Sequence, residues 1–314
     1  MKKEKPFASV SLDLDNQWSY MKIHGDEGWD KYPSYFDIFI PHVLDILDEL
    51  QLKITFFIVG KDAESEENRK YLRMITDRGH EVGNHSYNHE SWLQSYSYEE
   101  IEKEIIDAEE AIEKATGQKP RGFRGPGFSW STDLLKVLEK RDYLYDSSTL
   151  PTYLGPLARM YYFSKSGLSK EEKKARKELF GKFSEGFRNL KPYFWYLGNS
   201  KELMEIPVTT IPILKIPFHL SYLLFISGYS VWVMKIYLNF AIFMCKLTKI
   251  YPNYLIHPLD LIGGDHIPAL SFFPGMNFRS EYKLKIFKYA IRQLEKNYNL
   301  VPMSKLLTIK KKKN

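Results

Sequence analysis

Apolar residues run along the first half of the chain in two alternating rhythms. Short continuous runs rich in Val, Ile, Phe and Tyr give way to longer stretches with apolar positions three and four apart. "FASVSLDLD" (7–15) predicts a buried strand ending in carboxylates, and "LKITFFIVG" (52–60) a strand covered on both faces and closed by Gly60. "EVGNH", "RGFRGPG" and "YLYDSST" predict further short strands. Between them, "YFDIFIPHVLDILDEL" (35–50) has helical spacing, with Pro41 as a kink or break. "ENRKYLRMITDRGH" reads as a helix stopped at Gly79, and "STDLLKVLEKR" as another. "SYEEIEKEIIDAEEAIEKATG" opens on a capping box, Ser97 with Glu100, and stops at Gly117. Strands alternating with helices predict a parallel sheet with helices outside, as a barrel or an open sheet, with the chemistry at the C-terminal strand ends.

Residues 151–256 interrupt this rhythm. "LSKEEKKARKELFGKFSEGF" reads as a charged helix with a capping box of its own, Ser169 with Glu172. A stretch rich in Leu, Ile, Phe and Tyr follows, and Ile216–Met234 carries no Asp, Glu, Lys or Arg. Three readings stand for it: buried or pocket-lining helices, an interfacial surface touching lipid, or a membrane span, for which Pro217, His219 and Gly228 are poor residues. "PNYLIHPLD" (252–260) restores the strand rhythm, "EYKLKIFKYAIRQLEKNYN" predicts a last amphipathic helix, and "LVPM" a last strand. The expected division is a first barrel part over 1–150, an apolar, aromatic, helical insertion over 151–251, and the last barrel part with a basic tail over 252–314.

A chain of 314 residues suits one large domain or two small ones, and 44% hydrophobic with 27% charged residues excludes global disorder. The net charge of +6 owes much to "MKKEK" and "IKKKKN" at the ends. The Lys310–Lys313 run reads as a solvated tail, or as a weak anchor to anionic lipid. Basic and aromatic residues do not interleave along a face, so a nucleic-acid partner is not expected. Cys245 is the only cysteine, which excludes an intrachain disulfide, and its neighbours "FAIFMCKL" predict a buried, inert thiol. "MKKEKPF" leads straight into the first strand without an apolar leader, so a cytoplasmic location is expected.

The candidate chemistry falls just past the strands. Asp13 and Asp15 end the first; two apart, they point to the same side. "GHEVGNHSYNHE" (79–90) sets His85 and His89 four apart, as on one face of a helical turn. Asp15 with these two histidines makes a set suited to Zn²⁺ or another first-row divalent ion. The other aspartate is then free to take a proton from water. Arg124 in "FRGPGFS" can hold a carboxylate ionised, and the amide of Gly127 or its neighbour can donate to a developing oxyanion. His257 in "IHPLD" can protonate a departing amine, paired with Asp146 of "YDSS" or with Asp260. His24, His42, His80, His219 and His266 read as structural.

The order strand-Asp-x-Asp, "TFFIVG", "GHEVGNHSYNH", "FRGPGFS", "YDSS" and "IHPLD" resembles the polysaccharide deacetylases of the NodB-homology type, over about residues 5–150 and 252–305. The resemblance is to the branch in which the two aspartates are separated, here by Leu14. It implies a distorted (β/α) barrel with a largely helical apolar insertion, and metal-dependent hydrolysis of an N-acyl group on a sugar. Asp15, His85 and His89 would be the ligands of one divalent ion, Zn²⁺ first, with Co²⁺, Ni²⁺ or Mn²⁺ as substitutes. Asp13 would be the general base tethered by Arg124, His257 the general acid, and the Gly127 amide an oxyanion donor. Phe128, Asp146 and Asp260 would contact substrate. The insertion suggests a partly greasy substrate, such as a lipid-linked amino sugar at the inner face of the cytoplasmic membrane. Alternatives are a deformylase or an amidase acting on a ureide, a binding protein that keeps the fold, and a membrane-anchored interaction protein.

Overall fold

The computed structural model describes residues 5–157, 160, 182–198 and 202–307. The expected helix with its Ser169–Glu172 box and the Lys310–Lys313 run lie outside the described residues.

Among the described residues nine strands form one sheet: β1 (Phe7–Leu14), β2 (Thr55–Ile58), β3 (Glu81–Asn84), β4 (Gly122–Phe123), β5 (Tyr145–Asp146), β6 (Tyr193–Trp195), β7 (Leu203–Glu205), β8 (Asn253–Ile256) and β9 (Asn299–Val301). Their order is β6-β7-β5-β4-β3-β2-β1-β8, with β9 also on β1. Every pair is parallel except β6 with β7. The helices α1 (Gln17–His24), α2 (Phe36–Glu49), α3 (Gly60–Glu64), α4 (Glu66–Asp77), α5 (Tyr98–Thr116), α6 (Thr132–Lys140), α7 (Leu220–Ser227), α8 (Val231–Thr248) and α9 (Ser280–Glu295) complete the regular elements named here. The Ser97–Glu100 capping box forms as expected, and Pro41 lies inside α2.

Side chains alternate across β1, and that alternation builds the site. Ala8, Val10, Leu12 and Leu14 enter the main apolar core beneath α2 and α9. Ser9, Ser11 and Asp13 take the other face, inside the curl of the sheet, where Ser9 and Ser11 both donate to Asn253 Oδ1. β2 splits likewise: Phe56 and Ile58 face the helices, while Phe57 joins Tyr145, Met204, Ile206 and Met303 inside.

The two ends of the sheet meet without a ladder. Thr209 N–H donates to the Asn253 carbonyl at 3.1 Å, and the Asn253 N–H donates back to Thr209 Oγ1 at 2.8 Å. Asn253 Nδ2 also reaches Ser147 Oγ and the Ile206 carbonyl. The result is a distorted (β/α) barrel. Residues 203–210 stand in its wall, so the stretch between 150 and 252 contributes a strand and the closing contact as well as helices. β6 and β7 were not anticipated; each is three residues long, too short to show period-two alternation, β6 in an aromatic run and β7 in "KELMEIPV".

α7 and α8 pack beside α9 on the outside of the barrel. Met234, Leu238, Ala241, Ile242 and Cys245 turn one face of α8 into the core. Cys245 is buried there, and burial pushes its thiol up to about 12. α8 is long and apolar enough to cross a membrane, yet its inner face is committed to the domain.

Candidate active site

Asp15 leaves the end of β1, and His85 and His89 come from the loop after β3. His85 Nε2 lies 3.6 Å and His89 Nε2 3.0 Å from Asp15 Oδ1. The three side chains are buried, and their donor atoms all lie within 4.8 Å of one another. Ligand atoms each about 2.0–2.2 Å from one ion stand roughly 3.0–3.5 Å apart, so the set fits a divalent cation. Among the described residues Asp15 Oδ1 faces only the two histidine rings and makes no other hydrogen bond, as an oxygen reserved for a ligand would. His85 Nδ1 lies 2.6 Å from the Arg124 carbonyl; donating there fixes the ring and turns Nε2, with its lone pair, toward Asp15. Burial lowers the His85 pKa and favours the neutral ring that a metal needs.

The histidines meet by a route the sequence did not suggest. Residues 85–90 form a loop rather than a helical turn, and Ser86 and His89 both have positive φ, 62° and 55°. The buried Glu104 of α5 braces this loop: its Oε2 accepts from the Tyr87 and Asn88 amides at 3.0 Å each. Asn84 accepts from the Ser86 amide and donates to Tyr143 Oη. Trp18 sets its ring edge toward His89 and donates to the buried Asp62, whose carboxyl burial raises to about 7.

Asp13, two residues before Asp15, meets different partners. Arg124, fully buried after β4, donates from Nη1 to Asp13 Oδ1 at 2.6 Å. Its remaining nitrogens reach the Ser147 carbonyl and hydroxyl, and its guanidinium lies 4.3 Å from the Phe57 ring centroid. A buried charge so fully partnered is held in one place. His257, after β8, brings Nε2 to 4.0 Å from Asp13 Oδ2. Its Nδ1 stands 3.5 Å from Asp260 Oδ2, which also accepts from the His257 N–H and Ser221 Oγ. Burial opposes a charged His257, but Asp260, Asp13 and Asp15 outweigh it and raise the ring to about 9.

Gly127 and Phe128 follow Arg124 in a short 3-10 turn at the rim, both in left-handed backbone, φ 61° and 60°. Gly125 admits no side chain: a Cβ would fall 2.0 Å from the Ser129 carbonyl oxygen. Of the two carboxylates offered to His257, Asp260 is the one in place. Asp146 is fully buried, accepts from Ser148 Oγ, and shares a hydrogen bond with the buried Glu205 of β7, whose carboxyl burial and Asp146 push well above the usual range.

Sequence reasoning missed Glu104, Glu205, Ser221 and His219. His219, read as structural, caps the start of α7 with its ring centroid 6.2 Å from that of His257 and a buried Nδ1 that has no partner among the described residues. Neither His219 nor Ser221 lies in a motif; the chain fold alone brings them to the strand ends.

Residues 26–145 match the polysaccharide deacetylase family. Among curated relatives, a Bacillus cereus peptidoglycan-N-acetylglucosamine deacetylase is 30% identical over 142 residues, 45% of this chain and 62% of that one. Residues 26–145 thus resemble the catalytic part of that family. A Helicobacter pylori peptidoglycan deacetylase is 29% identical, over 54% of this chain and 57% of that one. A Sinorhizobium fredii chitooligosaccharide deacetylase is 33% identical over 31% of this chain and 45% of its own length. The chain thus spans roughly half the length of each of these relatives. A solved Mycobacterium smegmatis structure assigned to the polysaccharide deacetylases shares the fold, at TM-score 0.56 and 18% identity, covering 98% of this chain and 90% of that one.

Proposed function

We propose that this chain is a metal-dependent hydrolase that removes an N-acyl group, acetyl first, from an amino sugar. The observation that carries the reading is the convergence of Asp15, His85 and His89 beside an Asp13–Arg124 pair and a His257–Asp260 pair. The deacetylase names of the relatives support it.

Asp15, His85 and His89 would hold one divalent ion, Zn²⁺ first by donor type. When bound, it supplies Lewis acidity toward the acyl carbonyl and the attacking water. Asp13 takes the proton from that water, and Arg124 holds its carboxylate in place. The Gly127 amide donates to the oxygen on which charge develops. His257 carries the proton to be delivered to the leaving amine, and Asp260 keeps the ring charged and oriented. Phe128, next to Gly127, and His219, near His257, are the side chains we assign to contact with the sugar.

The same groups would cleave a formamide or a ureide. We favour an amino sugar carried on a lipid, at the inner face of the cytoplasmic membrane, because α7 runs from the His257 side of the site to exposed apolar surface. The deciding experiment is metal content of the purified protein, then chelation and re-addition while acetate, formate and amine release are followed. Substrates are soluble and lipid-linked N-acetylated sugars, with formyl and ureide controls. About one ion per chain and metal-restored acetate release support the reading. Bound metal with release only from formyl or ureide substrates moves it to the alternative, and no bound metal overturns it.

A further inference from the structure

α8 is apolar on two opposite sides. At 100° per residue, Trp232, Ile236, Phe240, Phe243 and Leu247 fall within an arc of about 80°. They are 42–71% exposed. The buried face, Met234 through Cys245, lies opposite. Phe225 and Tyr229, also strongly exposed, extend the stripe toward α7. Isolated exposed apolar residues need no explanation, but a continuous stripe does.

The charge around the stripe has one sign. Residues 206–259 contain no Asp or Glu, and Lys235 and Lys246 project along one edge of the stripe. Beside it, between α8 and α9, runs a groove of about 600 Å³ with a mainly apolar floor that includes Met234, Ile286 and Tyr289, and with Lys235, Arg292 and Lys296 among its lining residues. Lys285 and Lys288 pair with Glu281 and Glu49. Among the described residues no carboxylate pairs with Lys235, Arg292 or Lys296. A second copy on this face would bring like charges together across a two-fold axis. α8 cannot span a bilayer while its inner face packs into the domain, so any contact with a membrane leaves it lying along the surface, as an interfacial helix does.

We infer that the outer face of α7 and α8, with the basic groove beside it, docks on an anionic phospholipid bilayer. The stripe enters the acyl boundary and the groove lysines and arginine meet the headgroups. α7 is eight residues long, about 12 Å. Its first turn touches the site through Ser221 and Asp260, and past its far end lies the docked surface. Docking would bring the rim close to the membrane.

The test is flotation of the full chain with phosphatidylcholine vesicles, with and without phosphatidylglycerol. Co-flotation is expected only with phosphatidylglycerol, weakened by high salt and indifferent to millimolar inorganic phosphate. The triple variant Trp232→Ser, Phe243→Ser, Leu247→Ser and the triple variant Lys235→Glu, Arg292→Glu, Lys296→Glu should each lose about tenfold in binding with unchanged circular dichroism. Failure to bind anionic vesicles overturns the inference, as does equal binding to both vesicle types or undiminished binding by either variant. A dimer in solution that the serine variant dissociates would assign the face to a second copy instead. Binding is read without turnover, so its failure and that of the hydrolase reading remain separate.

Discussion

The strand-end rim and the outer face of α7–α8 depart from ordinary burial in opposite directions. At the rim, charge is buried: Arg124 is fully enclosed, with Asp13 and Asp15 almost so. On α8, large apolar side chains such as Trp232 and Leu247 stand in solvent. Foldability alone favours neither arrangement, and each is intelligible once something outside the chain completes it. On the readings proposed above, a small cation and a substrate complete the rim, and an anionic membrane surface completes the α8 face.

The contrast breaks if rim substitutions behave as ordinary core lesions. His85→Ala and His89→Ala should each remove the bound ion and cut turnover by about 10³-fold or more, read by elemental analysis and acetate release. Retained metal with normal turnover would end the assignment. Asp13→Asn should keep the ion and lose about 10²- to 10⁴-fold in kcat, as removal of a general base does. Metal loss in that variant would exchange the roles of the two aspartates.

Asp260→Asn tests positioning rather than packing. In the metal-free protein the His257 ring should titrate near 9 by NMR and fall toward its ordinary value in the variant. Because the folded-state pKa is raised, the stability that His257 contributes is present below about 6.5 and lost as pH rises through 9. An unshifted titration in the variant would deny Asp260 its role.

His219, where the two regions meet, has the opposite sign. Burial, aided by the neighbouring His257, holds it down to about 4, so its contribution is full above about 6.5 and lost as pH falls through 4. His80 behaves alike, held to about 4 by burial with its Nδ1 accepting from the Ile54 amide. Denaturant midpoints should fall across that window, each group accounting for up to about 3 kcal/mol. His219→Phe should flatten the curve; an unchanged slope would show His219 to be solvated. The smallest effect belongs to α8: Phe243→Ser and Leu247→Ser should change stability by no more than about 0.5 kcal/mol and leave turnover of a soluble substrate within about twofold. A larger loss would mean that the exposed stripe already serves the fold.

The rim was readable because its residues sit just past strands whose continuous apolar runs announce themselves, as in "FASVSLDLD" and "LKITFFIVG". Spacing misled once: His85 and His89 suggested a helical turn, but two left-handed residues in an Asn- and Ser-rich loop bring them together. Asp146 looked available to His257 because it ends a strand, and only the barrel shows that Glu205, nearly sixty positions later, takes it up. The face of α8 was hidden for a different reason. Apolar residues on two opposite sides cancel the one-sided periodicity from which burial is inferred, so the helix reads as greasy without revealing which side is dry.

The barrel seam has a consequence for synthesis. Ser9 and its acceptor Asn253 are 244 positions apart, and β8 supplies one neighbour of β1. At about 5–20 residues per second, β1 waits roughly 12–50 seconds on the ribosome for that neighbour. Through that interval a nascent chain carries an apolar strand with an unpaired margin, the kind that recruits other chains. Chaperone demand should therefore concentrate before the "PNYLIHPLD" segment emerges, and nascent chains stalled short of residue 253 should be more sensitive to protease and aggregation than those stalled beyond it.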